Sequence, residues 1–307
     1  MSDKIKMYFL GTSSSTPTKN RNLSSLLINY KGNNYLFDCP ENVQQQIMKV
    51  SESILKIKNI FITHFHGDHF FGLLGLLATM QLNQRTEDLN IFLPFGFSKD
   101  IKQYIASSKI IFSFKINLKE VKSSFSYTFD NINISCVKLN HSVLTFGYVF
   151  KVLDKIGKFD KKKALSLNIP EGPFFSKLQN GEKIKIGNKF IFPKDVIDYN
   201  YKKIGKKICY LTDTFVLNKV PPKVLNADIL IHESSFISEH KLRAKETLHS
   251  VAQDVSLFAK KADVKKLYLT HISPRYKDVL VIEKEAKKFF KNSFVAKDLD
   301  LIEISDY

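Results

Sequence analysis

The sequence predicts an α+β protein in which two β-sheets are stacked between layers of helices. Strand-like apolar runs occur in groups, and segments with helical spacing lie between and after the groups. Several of the apolar runs end at histidine or acidic residues, which is typical of a functional site formed where strands end and loops begin. The most specific case is the run at residues 60–62, which leads into His64, His66, Asp68 and His69.

The spacing of apolar residues predicts the elements in chain order. Strands are predicted at residues 6–10, 23–30, 34–38, 60–62 and 89–94, followed by several antiparallel strands within 112–139. Helices are predicted at residues 40–50, where Pro40 suits the first turn, and at 70–80, 98–108, 252–261 and 282–291. We expect a single domain spanning residues 1–307.

An insertion within this domain is expected at about residues 151–200, because the periodic pattern weakens there. Residues 151–163 hold six lysines and two aspartates, and residues 168–175 then read Asn-Ile-Pro-Glu-Gly-Pro-Phe-Phe. A solvated surface excursion explains this composition. A protruding arm that holds a partner through its lysines, helped by exposed Phe174 or Phe175, explains it as well.

Composition indicates a globular protein, with 44% hydrophobic and 25% charged residues. The longest apolar stretch, residues 70–80, is too short for a membrane span, and residues 1–10 lack a signal-peptide layout. Three cysteines without a CxxC pair fit a reducing compartment. A cytoplasmic protein without membrane contact is therefore expected.

The net charge is +17, from 47 basic and 30 acidic residues. Such an excess favours a polyanionic partner, because contacts with phosphates release counterions. Genome composition or a membrane surface can produce the same balance, so charge alone leaves nucleic acid as one of several explanations.

The segment Thr63-His64-Phe65-His66-Gly67-Asp68-His69 is a metal-binding signature. His64 and His66 are two residues apart, so both rings project to one side of an extended chain. Gly67 then permits a sharp bend, from which Asp68 and His69 emerge. A polar loop between strand and helix has no need for three histidines and an aspartate at one strand end.

The same event recurs at four other strand-like runs, which lead into His141, Asp213, His232-Glu233 and His271. The side chains available as ligands are then His64, His66, Asp68, His69, His141, Asp213 and His271. One zinc ion takes about four ligands, so seven indicate two ions. In a workable division, His64, His66 and His141 hold one ion, and Asp68, His69 and His271 hold the other. Asp213 would bridge the two through its oxygens.

Five imidazoles favour Zn²⁺, although Mn²⁺ or Fe²⁺ suits such a site. Two ions about 3.5–4 Å apart would share a hydroxide that attacks the substrate, so the expected chemistry is hydrolysis. A phosphodiester also needs its leaving alkoxide protonated, and His249 is a candidate for this general acid. A surface histidine near a helix N-terminus explains His249 equally well. Glu233, at a strand end, could orient it.

These residues resemble the ribonuclease Z family, the tRNA 3′-processing endonucleases of the metallo-β-lactamase superfamily. The superfamily's HxHxDH motif corresponds to His64 to His69, and its later ligands to His141, Asp213 and His271. Three loops are similar to those of the family itself. Pro17 to Asn22 matches the family's PxKxRN loop, and residues 168–173 match its Gly-Pro arm. His232-Glu233 corresponds to the family's HEAT loop, and His249-Ser250 to its HST loop.

The resemblance implies a four-layer αββα sandwich with a protruding arm, and cleavage of precursor tRNA just after the discriminator nucleotide by a metal-bridging hydroxide. It implies Asp68 and His249 as the acid-base residues, two Zn²⁺ per subunit and a homodimer. It also implies tRNA contacts, by Lys19, Arg21, Asn22 and Ser250 near the cleavage site and by Gly172 and Pro173 in the arm. Ser234-Ser235 and Val251 depart from the family's loop patterns, which leaves fine positioning open.

Two other functions remain open at this stage. A dinuclear hydrolase of the same fold that acts on a small ester, thioester or arylsulfate would keep all seven ligands, but would need neither the loop at residues 17–22 nor a basic arm. An RNA-binding relative without catalytic activity is disfavoured by the complete ligand set.

Overall fold

The computed structural model of this protein describes residues 3–307. Its strands are β1 (Lys4–Gly11), β2 (Ser25–Tyr30), β3 (Asn33–Phe37), β4 (Ile57–Phe61), β5 (Leu89–Pro94), β6 (Ile116–Val121), β7 (Ser126–Phe129), β8 (Ile132–Lys138), β9 (Phe146–Val152), β10 (Lys155–Phe159), β11 (Ile184–Ile186), β12 (Lys189–Ile191), β13 (Ile197–Lys203), β14 (Lys207–Leu211), β15 (Ile229–Glu233), β16 (Lys266–Thr270), β17 (Ser293–Val295) and β18 (Leu301–Ser305).

The helices lie between groups of these strands. They are α1 (Val43–Lys49), α2 (Gly67–Phe70), α3 (Leu73–Leu82), α4 (Ser98–Ser107), α5 (Lys161–Ser166), α6 (Pro173–Gln179), α7 (Pro193–Val196), α8 (Lys241–Glu246), α9 (Ala252–Lys261) and α10 (Leu280–Phe289). Two short 3₁₀ turns occupy Ile54–Lys56 and Ser238–His240. Within the described part of the chain, every helix is too short or too polar to cross a membrane.

Two seven-stranded sheets form the larger part of the fold. The strand order is β18-β1-β2-β3-β4-β5-β6 in the first sheet and β17-β16-β15-β14-β9-β8-β7 in the second. Aromatic rings fill the space between them: Phe61 of β4 stacks on Phe37 of β3 at 5.1 Å and meets Tyr148 of β9 in the other sheet at 5.3 Å. The sandwich of two sheets predicted from the sequence is confirmed.

Helices cover the outer faces because the strands are apolar on both sides. Along β4 and the residues after it, Ile60 and Ile62 belong to the core cluster that contains α1 and α3, while Phe61 faces the other sheet. On the second sheet, α9 and α10 bury side chains such as Val255 and Ile282. A buried strand in such a four-layer fold alternates between two apolar environments, which explains its continuous apolar sequence.

Two predicted elements differ from the structure. The helix predicted at residues 70–80 is divided into α2 and α3 at Phe71 and Gly72, where a Cβ on Gly72 would lie 1.9 Å from the Pro40 carbonyl oxygen. The antiparallel strands predicted within 112–139 are found only in the β7–β8 hairpin of the second sheet. β6 instead pairs in parallel with β5 at the edge of the first sheet.

The chain divides into two compact units, and residues 152–205 with Tyr307 form the smaller one. It contains the hairpins β10–β13 and β11–β12, together with α5, α6 and α7. It has a core of its own, with Ala164, Leu178 and Val196 among its buried residues. Phe174 and Phe175 pack against this core, so they are half-buried rather than exposed as expected.

Candidate metal centre and active site

The seven side chains expected to bind metal meet where the strands of both sheets end. Two groups of ligand atoms form, each with all atoms within 4.8 Å of one another. The first group contains His64, His66, His141 and Asp213, and the second contains Asp68, His69 and His271. Asp213 also lies beside His69 and His271 of the second group, so the structure brings all seven side chains together at one place.

Asp213 joins the two groups because its two oxygens face different rings. Oδ2 lies 3.6 Å from His64 Nε2 and 3.9 Å from His141 Nε2. Oδ1 lies 3.4 Å from His69 Nε2 and 3.1 Å from His271 Nε2. Ligands about 2.0–2.1 Å from one tetrahedral ion are separated by about 3.3 Å, so these spacings suit two cations that share one carboxylate.

Neighbouring groups fix which ring nitrogen faces the centre. His69 Nδ1 donates to Asp38 Oδ2 at 2.8 Å, and His141 Nδ1 donates to the Leu248 carbonyl at 3.2 Å. The Thr63 hydroxyl gives its single proton to Asp38, so its oxygen accepts from His64 Nδ1 at 3.0 Å. In each ring Nε2 therefore faces the centre, as is usual for histidine ligands. The Nε2 atoms of His64 and His141 lie 3.0 and 3.2 Å from His66 Nδ1, a spacing that also suits ligands of one cation.

His271 follows the same rule through Ser235. The Ser235 hydroxyl lies 3.0 Å from Glu233 Oε2 and 3.1 Å from His271 Nδ1. The hydroxyl proton therefore goes to the carboxylate, and His271 Nδ1 donates to Ser235. Among residues 3–307, the buried Nε2 atoms of His69 and His271 have no hydrogen-bond partner, which an atom placed to bind a cation explains.

The electrostatics of the centre also fit a cation. Burial lowers the pKa of His64 and His141, which keeps these rings neutral and able to coordinate. Burial opposes a charge on His69 too, but Asp213, Asp38 and Asp68 together raise its pKa well above the ordinary value. Three carboxylates around one buried ring favour positive charge at this place, which a metal cation would supply.

His249 lies beside the second group, within 4.8 Å of Asp213 and His271. Its Nδ1 donates to Glu233 Oε1 at 2.7 Å, which leaves Nε2 as the nitrogen that can carry a transferable proton. Burial lowers the pKa of His249, but the charge and hydrogen bond of Glu233 raise it to about 9. A histidine that stays protonated at neutral pH suits a general acid.

Glu233 is itself fully buried and held by the backbone. Oε1 accepts from Thr214 N and Oε2 from Ser235 N, both at 3.0 Å. The two other histidines lie outside this arrangement: His232 is buried with Nδ1 donating to the Glu233 carbonyl, and His240 bonds to the Tyr276 hydroxyl.

The residues expected to bind tRNA have different surroundings. Lys19 is exposed at the loop between β1 and β2. The Arg21 guanidinium is directed at the carbonyl oxygens of Ile272, Ser273 and Tyr276, at 3.3–3.4 Å. Asn22 Nδ2 donates to the Glu41 carbonyl, and buried Ser250 donates to that of Thr214. Gly172 and Pro173 are exposed in the smaller unit, where Gly172 has φ 110°.

Asp38, which no sequence motif indicated, is fully buried and binds both His69 and Thr63. It lies immediately after β3, so the strand-end pattern that pointed to the ligands applies to it too. Asp38, Asp213, Leu248 and His271 all have positive φ, between 55° and 60°. Such backbone is uncommon for residues other than glycine and is often found at functional sites.

Comparisons with known proteins identify relatives of this chain. A sequence profile of the family described as Anti-Pycsar protein Apyc1 matches residues 5–157. The protein called ribonuclease Z in Methanosarcina acetivorans is 38% identical over 301 residues, which cover 98% of each chain. The ribonuclease Z of Nitrosopumilus maritimus is 39% identical over 300 residues, which cover 98% of this chain and 100% of its own.

Solved structures with a similar fold include a protein of the same activity name. The short form of human tRNase Z is similar over 97% of this chain and 98% of its own, with a TM-score of 0.68 and 26% identity. YhfI of Bacillus subtilis, a metallo-beta-lactamase fold protein, matches over 98% of this chain and 100% of its own with a TM-score of 0.69, and at 19% identity it supports the fold alone. The sequence relatives and the fold together show that the chain belongs to the ribonuclease Z family.

Proposed function

We propose that this protein is a zinc-dependent endoribonuclease that removes the 3′ trailer of precursor tRNA. The cut falls just after the discriminator nucleotide and leaves a 3′-hydroxyl. The observation that carries the proposal is the pair of ligand groups joined by Asp213, with His249 beside them against Glu233. Family membership supports precursor tRNA as the substrate.

Two Zn²⁺ per subunit are proposed, because five imidazoles and two carboxylates form the two groups. Mn²⁺ or Fe²⁺ is a possible substitute in the same ligand set. Bound together, two such cations supply a water-derived nucleophile at neutral pH and neutralise charge on the phosphate. His64, His66 and His141 would hold one cation, Asp68, His69 and His271 the other, and Asp213 both.

The chain's own residues handle the protons. Burial raises the pKa of Asp68, but His69 and His271 outweigh it and lower the pKa below the ordinary value. Asp68 is therefore ionised and can accept a proton from the attacking water. His249 keeps a proton at Nε2 for the departing ribose oxygen, and Glu233 positions it through Nδ1.

The smaller unit, residues 152–205, is proposed as the arm that binds tRNA outside the cleavage site. Its sequence has twelve lysines against six acidic residues, an excess suited to contact with RNA phosphates. Gly172 and Pro173 begin α6 on an exposed turn, and the φ of 110° at Gly172 favours glycine there. A protein that acts only on small esters has no use for such a surface.

Near the cleavage site, exposed Lys19 is proposed to contact phosphate directly. Arg21, Asn22 and Ser250 bind carbonyl oxygens of neighbouring loops, so their proposed contribution is to hold the loops that meet the tRNA end. Family membership further supports a homodimer that acts in the cytoplasm, with the arm of one subunit holding the tRNA cut by the other. The molar mass in solution, from light scattering, tests the dimer.

The decisive experiment incubates the purified, zinc-loaded protein with precursor tRNA that carries a 3′ trailer. Mapping the ends of both products should place the cut after the discriminator nucleotide, and elemental analysis should find two zinc ions per chain. Failure to cut, together with hydrolysis of a small ester, thioester or arylsulfate, would favour the alternative hydrolase.

A deletion tests the arm separately. Lys151 of β9 and Lys207 of β14 are paired residues of one sheet, so an Asn-Gly turn can replace residues 152–206 and close a hairpin. The shortened enzyme should hydrolyse bis(p-nitrophenyl) phosphate at the normal rate but bind precursor tRNA at least tenfold more weakly. Equal loss of both activities would mean that these residues are structural.

A further inference from the structure

The loop after β1 and the segment after His271 enclose a cavity of about 510 Å³. Its lining includes Lys19, Lys277 and Lys297, all exposed, and the apolar side chains of Pro274, Val279 and Ala296. Lys277 and Lys297 belong to none of the motifs that indicated the function. Within residues 3–307, none of the three ammonium groups has a carboxylate within 4 Å.

The carboxylate in this cavity is already engaged. Asp298 accepts hydrogen bonds from Asn22 N at 2.6 Å, Thr12 Oγ1 at 2.8 Å and Gln46 Nε2 at 3.2 Å. It therefore has little capacity left to neutralise lysines at the rim. The Tyr276 hydroxyl is likewise bound to His240, which leaves its ring as part of the wall.

The cavity is held close to the second ligand group by two short connections. Ser15 N donates to Asp68 Oδ2 at 3.0 Å, and Lys19 is four residues further on, at most about 14 Å away along the chain. The other wall is the segment directly after His271, where the Arg21 guanidinium donates hydrogen bonds to the carbonyl oxygens of Ile272, Ser273 and Tyr276. Both walls are thus fixed relative to metal ligands.

We propose that this cavity binds a single-stranded nucleotide that adjoins the scissile bond, with Lys277 and Lys297 on its phosphates beside Lys19. The apolar wall and the Tyr276 ring would pack against the base, and the exposed lysines at the rim would contact the phosphates. The inference rests on the proposed function, since it needs an RNA strand in the neighbouring centre. The nucleotide belongs either to the trailer or to the acceptor end, which present the same chemistry.

The test compares Lys277→Ala/Lys297→Ala with wild type on precursor tRNA. We expect KM to rise on the order of tenfold with kcat nearly unchanged, because two exposed phosphate contacts are lost. The slope of log affinity against log salt should fall by about 1.4, or about 0.7 for each contact with a single strand. Hydrolysis of bis(p-nitrophenyl) phosphate should stay at the wild-type rate.

Two controls exclude a general effect of charge. Lys58→Ala/Lys102→Ala removes two exposed lysines of other elements and should behave as wild type. Lys277→Arg/Lys297→Arg keeps both charges and should restore KM to within about twofold, since phosphate contact at the rim is mainly electrostatic.

Binding of a tRNA that ends at the discriminator nucleotide, and so carries no trailer, identifies the source of the nucleotide. If Lys277→Ala/Lys297→Ala binds this RNA as tightly as wild type but binds precursor tRNA more weakly, the cavity holds trailer; equal weakening for both RNAs means that it holds the acceptor end. An unchanged KM and salt slope in an otherwise active enzyme, or the same defect in the Lys58/Lys102 control, would overturn the cavity proposal alone. Absence of cleavage by the wild-type protein would instead remove the proposed function and the cavity with it.

Discussion

Replacement of Glu233 by glutamine should move the pH range in which the enzyme works. Glu233 is fully buried and its charge is the main reason that the pKa of His249 is raised from 6.5 to about 9. The difference of about 2.5 pH units corresponds to roughly 3 kcal/mol. In Glu233→Gln the burial of His249 stays and the charge disappears, so the pKa should fall to about 6.5 or below.

The direction of the change in pH dependence follows from the proposed role of His249 as proton donor. A general acid works only while protonated, so activity is lost as the pH rises through its pKa. At pH 8 a group with a pKa of about 9 is about 90% protonated, and one with a pKa of 6.5 about 3%. Glu233→Gln should therefore be slower by about thirtyfold at pH 8, yet within about twofold of wild type at pH 6.

The assay is single-turnover cleavage of precursor tRNA between pH 5.5 and 9.5, with zinc content measured for each protein. Bound cations shift the pKa in both proteins alike, so the difference between the two profiles is the quantity that tests the reasoning. The new amide would face Ser235 N, and a lost buried hydrogen bond costs about 1–3 kcal/mol, so thermal unfolding is measured as well. Glu239→Gln, at an exposed position, is the matched control. Identical alkaline limbs for wild type and Glu233→Gln would refute the assignment.

Three further substitutions probe other parts of the centre. His249→Ala should slow cleavage of precursor tRNA by about a hundredfold or more, as loss of a general acid does, with zinc content unchanged. Hydrolysis of bis(p-nitrophenyl) phosphate should be much less affected, because its leaving group needs no proton. Equal losses on both substrates would contradict the assignment of His249 as general acid. Asp38→Asn should weaken zinc binding about 10–100-fold in calorimetry, because His69 loses the acceptor that fixes its ring, whereas exposed Asp3→Asn should not. Arg21→Met should lower the melting temperature and weaken one of the two zinc affinities, because three carbonyl oxygens after His271 lose their donor. Arg21→Lys should recover part of both properties. An unchanged melting temperature with defective tRNA binding would instead make Arg21 a substrate contact.

The cluster of candidate ligands could be predicted from the sequence because it follows from two local rules. The residues that follow an apolar strand lie at the end of the sheet, where loops begin. A cluster such as His64 to His69 has no common structural use. Asp38 obeys the first rule but not the second, since a single aspartate after a strand is ordinary. Its function depends on His69, thirty-one residues away, which only the fold brings within 2.8 Å.

Other features were inaccessible for physical reasons. In residues 152–205 no helix or strand exceeds seven residues, so periodicity has too few repeats to indicate an element. The binding partners of Arg21 could not be predicted either, because a guanidinium can bind phosphate or carbonyl oxygens and the sequence does not show which lies nearer. The helix predicted at residues 70–80 was divided by a contact with Pro40 that belongs to tertiary structure.

The backbone around the centre shows how its geometry is maintained. Four residues there, Asp38, Asp213, Leu248 and His271, have left-handed conformations that cost about 1–3 kcal/mol each for side chains of this kind. The strain is distributed over loops that are tied by buried hydrogen bonds, such as Ile272 N to the Thr12 carbonyl at 2.8 Å, directly after His271. Because these ties involve protein atoms alone, the fold itself contributes to positioning the proposed ligand atoms. Metal affinity then depends on the sandwich core as well as on the ligands.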